Sequence, residues 1–310
     1  MSASATPPDR STLAAFIGAV LIGGTNFVAV RFSNETLDPF FGAALRFGGA
    51  AALLYVIAGT RRIPLPSGRA LLGASLYGFL GFGVAYASLY YALVGLPAGT
   101  ASVFLAVVPL LTLIVAVLHR QERFTARGAI GGVLAIAGIV LLSAGSLSGD
   151  LEPVYLVASF VGSLAIAESS VVVKGFPRWD PITTNAVGMT AGTAFLIVIS
   201  LLAGERWELP GEAATWLVTA WLVVAGSVGL FVLFLYVIGR WTASASVYAL
   251  TLMPVVAVTL GALLLDEAVT LYVVAGGAIV LAAVYIGALS QPAAPATPEV
   301  PPLEPQPPRR

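Results

Sequence analysis

The stretch PLLTLIVAVLHRQERFT (Pro109–Thr125) recurs in outline, 145 residues later, as PVVAVTLGALLLDEAVT (Pro254–Thr270). In each copy a glutamate follows the proline by thirteen positions, and a threonine follows the glutamate by three. Most of the residues between these anchors are apolar, and few of them match between the copies. The pattern predicts an apolar helix with a polar turn after it, used twice in one fold.

The composition places these helices in a membrane. The chain of 310 residues is 58% hydrophobic and 10% charged, with a mean hydropathy of +0.96. A soluble domain carries about 25% charged residues, so this chain has too few to cover a solvated surface. The formal net charge is zero, and no basic block of the kind that binds nucleic acid is present. The chain has no cysteine, which excludes disulfides and thiolate metal sites.

Apolar runs long enough to cross a bilayer predict an all-α integral membrane protein. A bilayer core needs roughly 20 apolar residues in a helix, and backbone groups in lipid must be paired within the segment. The sequence contains ten such runs, at about 13–31, 40–58, 70–93, 99–118, 128–146, 152–173, 182–203, 213–238, 243–264 and 270–289.

The ten runs form two related sets of five. The offset of 145 also pairs Tyr91 with Tyr236, and an offset of 142 pairs Asp38 with Asp180 at the start of the second span of each set. We expect a disordered N-terminus (1–12), a first repeat (13–146), a second repeat (150–289) and a disordered proline-rich tail (290–310). Because five is odd, the second repeat enters the membrane inverted relative to the first. Secondary transporters share this plan, with the substrate site between the repeats.

Basic residues predict the orientation. With both termini in the cytoplasm, twelve Lys or Arg residues fall on the inner segments and two on the outer loops. Lys and Arg concentrate on the cytoplasmic side of short loops. The sequence therefore predicts a multi-pass protein of the cell membrane with both termini inside.

These residues together resemble a known family. The Gly24-Thr25-Asn26-Phe27 stretch, Arg46-Phe47 and the two proline-to-glutamate copies are similar to those of EamA-type permeases of the drug/metabolite transporter superfamily. The resemblance covers roughly residues 13–288. It implies a ten-helix exporter or importer of small metabolites that does not hydrolyse ATP. The family's substrates include amino acids, nucleotide-linked compounds and drugs, so the resemblance names no single substrate.

The proline and glutamate that both copies of the repeated stretch share are candidates for specific roles. Pro109 and Pro254 are expected to kink their helices. The kinks could act as hinges, turn freed carbonyls toward a central cavity, or be static kinks tolerated by packing. Glu122 and Glu267 each precede a threonine that can cap the next helix, where the negative charge suits the helix N-terminus. An ion pair with a nearby arginine is the alternative for Glu122.

Three polar side chains lie within predicted spans. Arg46 is expected to bind a carboxylate or phosphate group of a substrate, to make a structural salt bridge, or to reach the outer interface. Asn26 and Glu168 are related by the offset of 142, which suggests a polar pair near the midplane. Glu168 is expected to carry a coupled proton, to pair with Arg46, to line the cavity by hydrogen bonds, or to reach solvent near the inner end.

Aromatic residues are frequent in spans 3 and 8. Tyr86, Trp221 and Tyr248 are candidates for lining the cavity, and an aromatic belt at the membrane interface is the alternative.

Other functional classes fit the sequence less well. A membrane-embedded enzyme needs a base, a nucleophile or a metal cluster at membrane depth. The one histidine, His119, is predicted in a loop, and neither HExxH nor a phosphate-binding GxxxxGK[ST] motif occurs. We therefore expect no enzyme, no cofactor and no metal. A channel-like facilitator is the principal alternative. The expected partners are a small-molecule substrate, the lipid bilayer and protons, with an oligomer left open.

Overall fold

The computed structural model describes residues 8–33, 36–95, 98–142, 152–264 and 271–289. In this part of the chain every regular element is helical. The predicted tail (290–310) and residues 1–7 lie outside the described residues.

Within these described ranges, ten helices, α1 to α10, follow one another. Three of them contain a π-helical segment, and α9 begins with a separate short turn. The helices are α1 (Arg10–Ser33), α2 (Pro39–Thr60), α3 (Gly68–Gly78, Phe79–Val84 and Ala85–Gly95), α4 (Ala98–Leu118), α5 (Ala126–Leu142), α6 (Pro153–Gly175), α7 (Pro181–Ala203), α8 (Ala213–Val223, Val224–Gly229 and Leu230–Arg240), α9 (Ala243–Ser246 and Tyr248–Leu264) and α10 (Leu271–Val284 and Tyr285–Leu289). Among the described residues, five helical segments are long and apolar enough by themselves to cross a bilayer, namely Pro39–Thr60, Gly68–Ala92, Pro153–Gly175, Pro181–Ala203 and Ala213–Arg240.

The first helix starts earlier than the sequence indicates. The disordered N-terminus was predicted to reach residue 12, but α1 begins at Arg10. The reason is a cap: the Thr12 amide donates to the Asp9 carboxylate at 2.8 Å, and the Ser11 hydroxyl donates to it at 3.0 Å. Hydrogen bonds from Thr12 and Ser11 also lower the pKa of Asp9 below its ordinary value.

The helices pack as two related sets of five. α1 lies against α8 and α9, and its counterpart α6 lies against α3 and α4. α2 packs on α7, and α5 packs on α10, so these counterparts meet each other. Exchanging each helix for the one five places later reproduces this pattern, as a two-fold relation between the repeats requires.

The connections alternate between two ends of the bundle. At one end, the α7–α8 connection binds the start of α2, where the Glu205 carboxylate accepts from the amides of Phe40 and Phe41 at 2.9 and 2.7 Å. At the other end, the Trp179 indole donates to the Pro64 carbonyl at 2.9 Å, which joins the α6–α7 and α2–α3 connections. We call the end that holds the α2–α3, α4–α5, α6–α7 and α8–α9 connections the basic end, because most Lys and Arg residues lie there. Each repeat has an odd number of crossings, so the two repeats are inverted, as predicted.

Both α3 and α8 change to π-helix in their middle. The segments Phe79–Val84 and Val224–Gly229 begin 145 residues apart, the same offset that relates the two copies of the repeated stretch. A π-helical turn shifts the backbone hydrogen bond from the fourth to the fifth residue and often marks a functional site. The repeat in the sequence therefore extends to an irregular feature of the backbone.

A very close helix contact joins α3 to α7. A Cβ placed on Gly78 would lie 1.8 Å from the carbonyl oxygen of Gly188. Apolar burial gives little drive for helix association in lipid, so membrane helices depend on close contacts of this kind.

Candidate functional site

Arg46 is buried in the helix bundle. It lies seven residues into α2, and 2% of its surface is exposed. Its Nε donates to the Ser227 hydroxyl at 2.8 Å, and an Nη donates to the Gly226 carbonyl at 2.8 Å. The expectation that Arg46 reaches the membrane interface is therefore wrong. Within the described ranges, no carboxylate lies within ion-pair distance of this guanidinium, so a structural salt bridge is not formed there either.

The π-helical segment of α8 supplies the main-chain part of this site. The Gly226 carbonyl also accepts from Asn26 Nδ2 at 3.0 Å. Asn26 packs so closely that a Cβ on Gly226 would lie 2.2 Å from Asn26 Oδ1, which only glycine avoids. One carbonyl therefore joins α1, α2 and α8. Asn26 Oδ1 is buried and has no hydrogen-bond partner in this part of the structure.

Aromatic rings surround the charged group. The guanidinium carbon of Arg46 lies 5.0 Å from the centre of the Phe47 ring and 5.7 Å from that of Tyr86. The Tyr86 ring packs edge-on against Phe47 at 4.6 Å. Cation–π contacts offset part of the cost of burying the charge. We call Arg46, Asn26, Ser227, Tyr86 and the Gly226 carbonyl the arginine site.

Glu168 does not belong to the arginine site. Its carboxylate lies 3.2 Å from His119 Nε2, and the two side chains are 30% and 45% exposed. The pairing with Arg46 that the sequence allowed is not seen, and no hydrogen bond among the described residues joins Glu168 to Asn26. The physical reason is direction: α4 brings His119 to α6 at the basic end, whereas Asn26 faces the π-helical segment of α8.

Trp221 faces outward. Its side chain is 47% exposed. Its neighbours on the same helix face are exposed too, Leu217 at 73% and Val224 at 55%. Exposure of this kind fits both a lipid-facing position and a cavity open to the outside, so the cavity role of Trp221 stays a prediction.

Tyr248 fills a helix contact instead of a cavity. It is 1% exposed, and its hydroxyl donates to the Gly128 carbonyl at 3.2 Å. Its oxygen lies 2.5 Å from where a Cβ of Gly131 would be, and 2.1 Å from that of Gly287. The ring thus packs between α5 and α10, and the cavity role predicted for it is wrong.

The predictions made for the anchor residues of the repeated stretch have different outcomes. The Thr125 hydroxyl accepts from the Gly128 amide at 3.2 Å and so caps α5 as expected. The carboxylate of Glu122 accepts from the amide of Ser244 at 3.2 Å and from the Ser244 hydroxyl, at the start of α9. It therefore links the two repeats. Glu267 lies outside the described residues.

The two prolines lie within helices. Pro109 is inside α4, and Pro254 is inside α9, where it is buried. The hinge or cavity role of both stays a prediction.

Sequence reasoning missed Ser227, His119 and Glu205. Glu205 accepts a third hydrogen bond, from the Ser200 hydroxyl at 2.7 Å, and Trp207 next to it stacks on Phe41 at 5.2 Å. The sequence held a signal for Ser227, because it follows the glycine that the offset of 145 pairs with Gly81. Nothing in the sequence pattern marks Glu205, because two of its three partners are main-chain amides.

The comparison with known families agrees with this architecture. The EamA-like transporter family matches residues 10–144 and again residues 154–288. The chain belongs to the EamA-like transporter family. The two matches correspond to helices α1–α5 and α6–α10, so each repeat is one EamA unit.

Relatives of this EamA protein are named as membrane transporters. The "uncharacterized inner membrane transporter YedA" of Escherichia coli (strain K12) is 30% identical over 249 residues, which are 80% of each chain. A "probable terminal-alkyne amino-acid exporter" of Streptantibioticus cattleyicolor is 26% identical over 88% of this chain and 91% of that protein. A crystal structure with 19% identity superposes with a TM-score of 0.74, covering 89% of this chain and 96% of that one, and thus shares the fold. This EamA protein is therefore a multi-pass membrane transporter.

Proposed function

We propose that this EamA protein is a secondary transporter that moves a small metabolite with a carboxylate or phosphate group, such as an amino acid or a related compound, across the cytoplasmic membrane. Transport takes place by alternating access between the inverted repeats, without ATP. Relatives named as amino-acid exporters support this substrate class.

The charge of Arg46, which has no anionic partner among the described residues, carries the proposal. Burying a cation without an anionic partner is costly, and an arginine at membrane depth usually serves a functional site. The Ser227 hydroxyl and the Gly226 carbonyl satisfy hydrogen bonds of Arg46 but do not neutralise it. A guanidinium pairs with carboxylates and phosphates in bidentate geometry. A substrate anion would supply the missing negative charge.

We also propose that the basic end faces the cytoplasm, with both termini there. The excess of Lys and Arg in its short connections supports this orientation.

Counterflow in liposomes tests the function. We expect purified protein in liposomes loaded with an unlabelled amino acid to take up the same labelled amino acid to a transient overshoot. Uptake is compared between each of several α-amino acids and the corresponding amino-acid amide. This comparison shows whether the carboxylate is required for transport. A carrier gives the overshoot and prefers the acid. Uptake without an overshoot would identify a channel and contradict the proposal, and empty liposomes are the control.

Proton coupling is a separate proposal that centres on Glu168. The His119–Glu168 pair is ionic only when the histidine is protonated, so the pair couples a proton to the contact between α4 and α6. We expect Glu168→Gln to abolish the acceleration of uptake by an imposed pH gradient while counterflow at equal pH continues. His119→Gln is the matched variant, because it removes the pair but leaves the carboxylate. If Glu168→Gln retains the full response to the gradient, Glu168 carries no coupled proton.

A further inference from the structure

A second cationic site lies at the basic end, apart from the arginine site. A cavity of about 390 Å³ opens there between α3, α6, α7 and α8. Its walls include Lys174 at the end of α6, Arg178 in the α6–α7 connection and Arg240 at the end of α8, together with Tyr236 and Thr184. We call this cavity the basic vestibule. Its volume lies within the range of small-molecule sites, about 300–1,000 Å³.

The wall of the basic vestibule contains three basic residues and no carboxylate. No Asp or Glu lines the basic vestibule, and in the described part of the chain none lies within ion-pair distance of Lys174, Arg178 or Arg240. Lys174 and Arg178 lie near enough for their like charges to act on each other. Like charges that face one cavity repel unless an anion joins them.

The nearby carboxylates already have other partners. Glu122, whose charge reaches Lys174, accepts from Ser244. Asp9, whose charge reaches Arg240, accepts from Thr12, and Asp180 accepts from the Ile182 amide at 2.8 Å. These contacts hold the carboxylates at helix ends outside the cavity.

The cationic side chains are held in different ways. The Lys174 ammonium donates to the carbonyls of Ile238, at 3.1 Å, and Trp241. An ammonium has three N–H donors, and two of those of Lys174 are used by these carbonyls in the described part of the chain. The Arg240 guanidinium stacks 3.6 Å above the Tyr236 ring, which fixes its plane. Arg178 is exposed beside the cavity.

We propose that the basic vestibule is an anion-binding site for a carboxylate or phosphate group. The same chemistry is offered by a free metabolite and by an anionic lipid headgroup. The site is separate from Arg46, so binding here does not depend on the function proposed for the arginine site.

Equilibrium binding to the purified full-length protein tests this site. The thermal unfolding midpoint is measured in a zwitterionic detergent at increasing phosphate concentration. Chloride at the same ionic strength is the reference. We expect phosphate to raise the midpoint saturably. The double variant Arg178→Gln with Arg240→Gln should bind about tenfold more weakly for each guanidinium lost, equivalent to about 1.4 kcal/mol each. Both arginines are exposed, so the variant should elute as wild type does.

The matched control separates a site from general surface charge. Arg61→Gln with Arg62→Gln removes two exposed basic-end charges outside the cavity and should leave phosphate binding unchanged. A second arm replaces phosphate with phosphatidylglycerol added to phosphatidylcholine vesicles. One possible result is that the lipid stabilises the protein and phosphate does not, and that this stabilisation is lost in the double variant Arg178→Gln with Arg240→Gln. That result supports the site and identifies a lipid headgroup as its ligand. Equal behaviour of the two double variants, or no stabilisation by either anion, overturns the proposal.

Discussion

Replacing Arg46 with glutamine is expected to raise the KM for a carboxylate substrate about 10- to 100-fold. A hydrogen bond to a charged group contributes about 1.5–3 kcal/mol, and each 1.4 kcal/mol corresponds to about a factor of ten. Initial rates of amino-acid uptake into proteoliposomes measure this effect. The protein should still fold, because removing a charge that has no anionic partner relieves its desolvation cost.

The amides of the same amino acids show whether Arg46 acts on the substrate. Wild type should prefer the acid over the amide, and Arg46→Gln should transport both at similar low rates. Arg46→Lys keeps the charge but loses the planar fork, so it should recover part of the preference. If Arg46→Gln transports less of everything but keeps the wild-type preference for the acid, Arg46 is structural.

Alanine at Gly78 is expected to destabilise the folded protein by at least about 3 kcal/mol, the upper part of the range for overpacking. The added Cβ would lie 1.8 Å from the oxygen and 2.2 Å from the carbon of the Gly188 carbonyl. Both are main-chain atoms, so no side chain can rotate away, and α3 must move from α7. Denaturant titration and size-exclusion elution in detergent measure the loss.

Gly59→Ala and Gly239→Ala are matched controls. Both glycines lie in helices, and a Cβ on either would meet nothing within 4 Å. Alanine there should leave the protein unchanged or stabilise it by about 0.5–1 kcal/mol, because alanine favours a helix more than glycine does. If Gly78→Ala unfolds at the same denaturant concentration as Gly59→Ala, the α3–α7 contact is looser than described.

The sequence predicted the architecture well because lipid imposes strong rules on it. Apolar runs of spanning length must be helices, and two anchors offset by 145 residues, such as Pro109 and Pro254, implied a duplicated unit. The π-helical segments at Phe79 and Val224 obey the same offset. They were not predicted, because the sequence is equally apolar whether each backbone hydrogen bond of the helix spans four residues or five.

The site was only partly predictable. Arg46 and Asn26 stood out as polar residues within apolar runs. Their meeting point, the Gly226 carbonyl, was hidden because main-chain groups leave no trace in a residue pattern. The sequence leaves the direction of Trp221 open for another reason: a membrane helix is apolar on all sides, so periodicity does not distinguish the lipid face from the buried face.

The arginine site also makes the two repeats unequal. The offset of 142 that aligns Asp38 with Asp180 puts Gly188 at the position of Arg46, and Gly188 touches the Gly78 backbone where Arg46 instead reaches α8 with a long charged side chain. The contact between α3 and α7 is thus made by main-chain atoms, whereas the related contact between α2 and α8 is made by the guanidinium of Arg46. Under the alternating access proposed above, opening toward the two sides of the membrane would break different contacts. We therefore expect the two access states to differ in free energy.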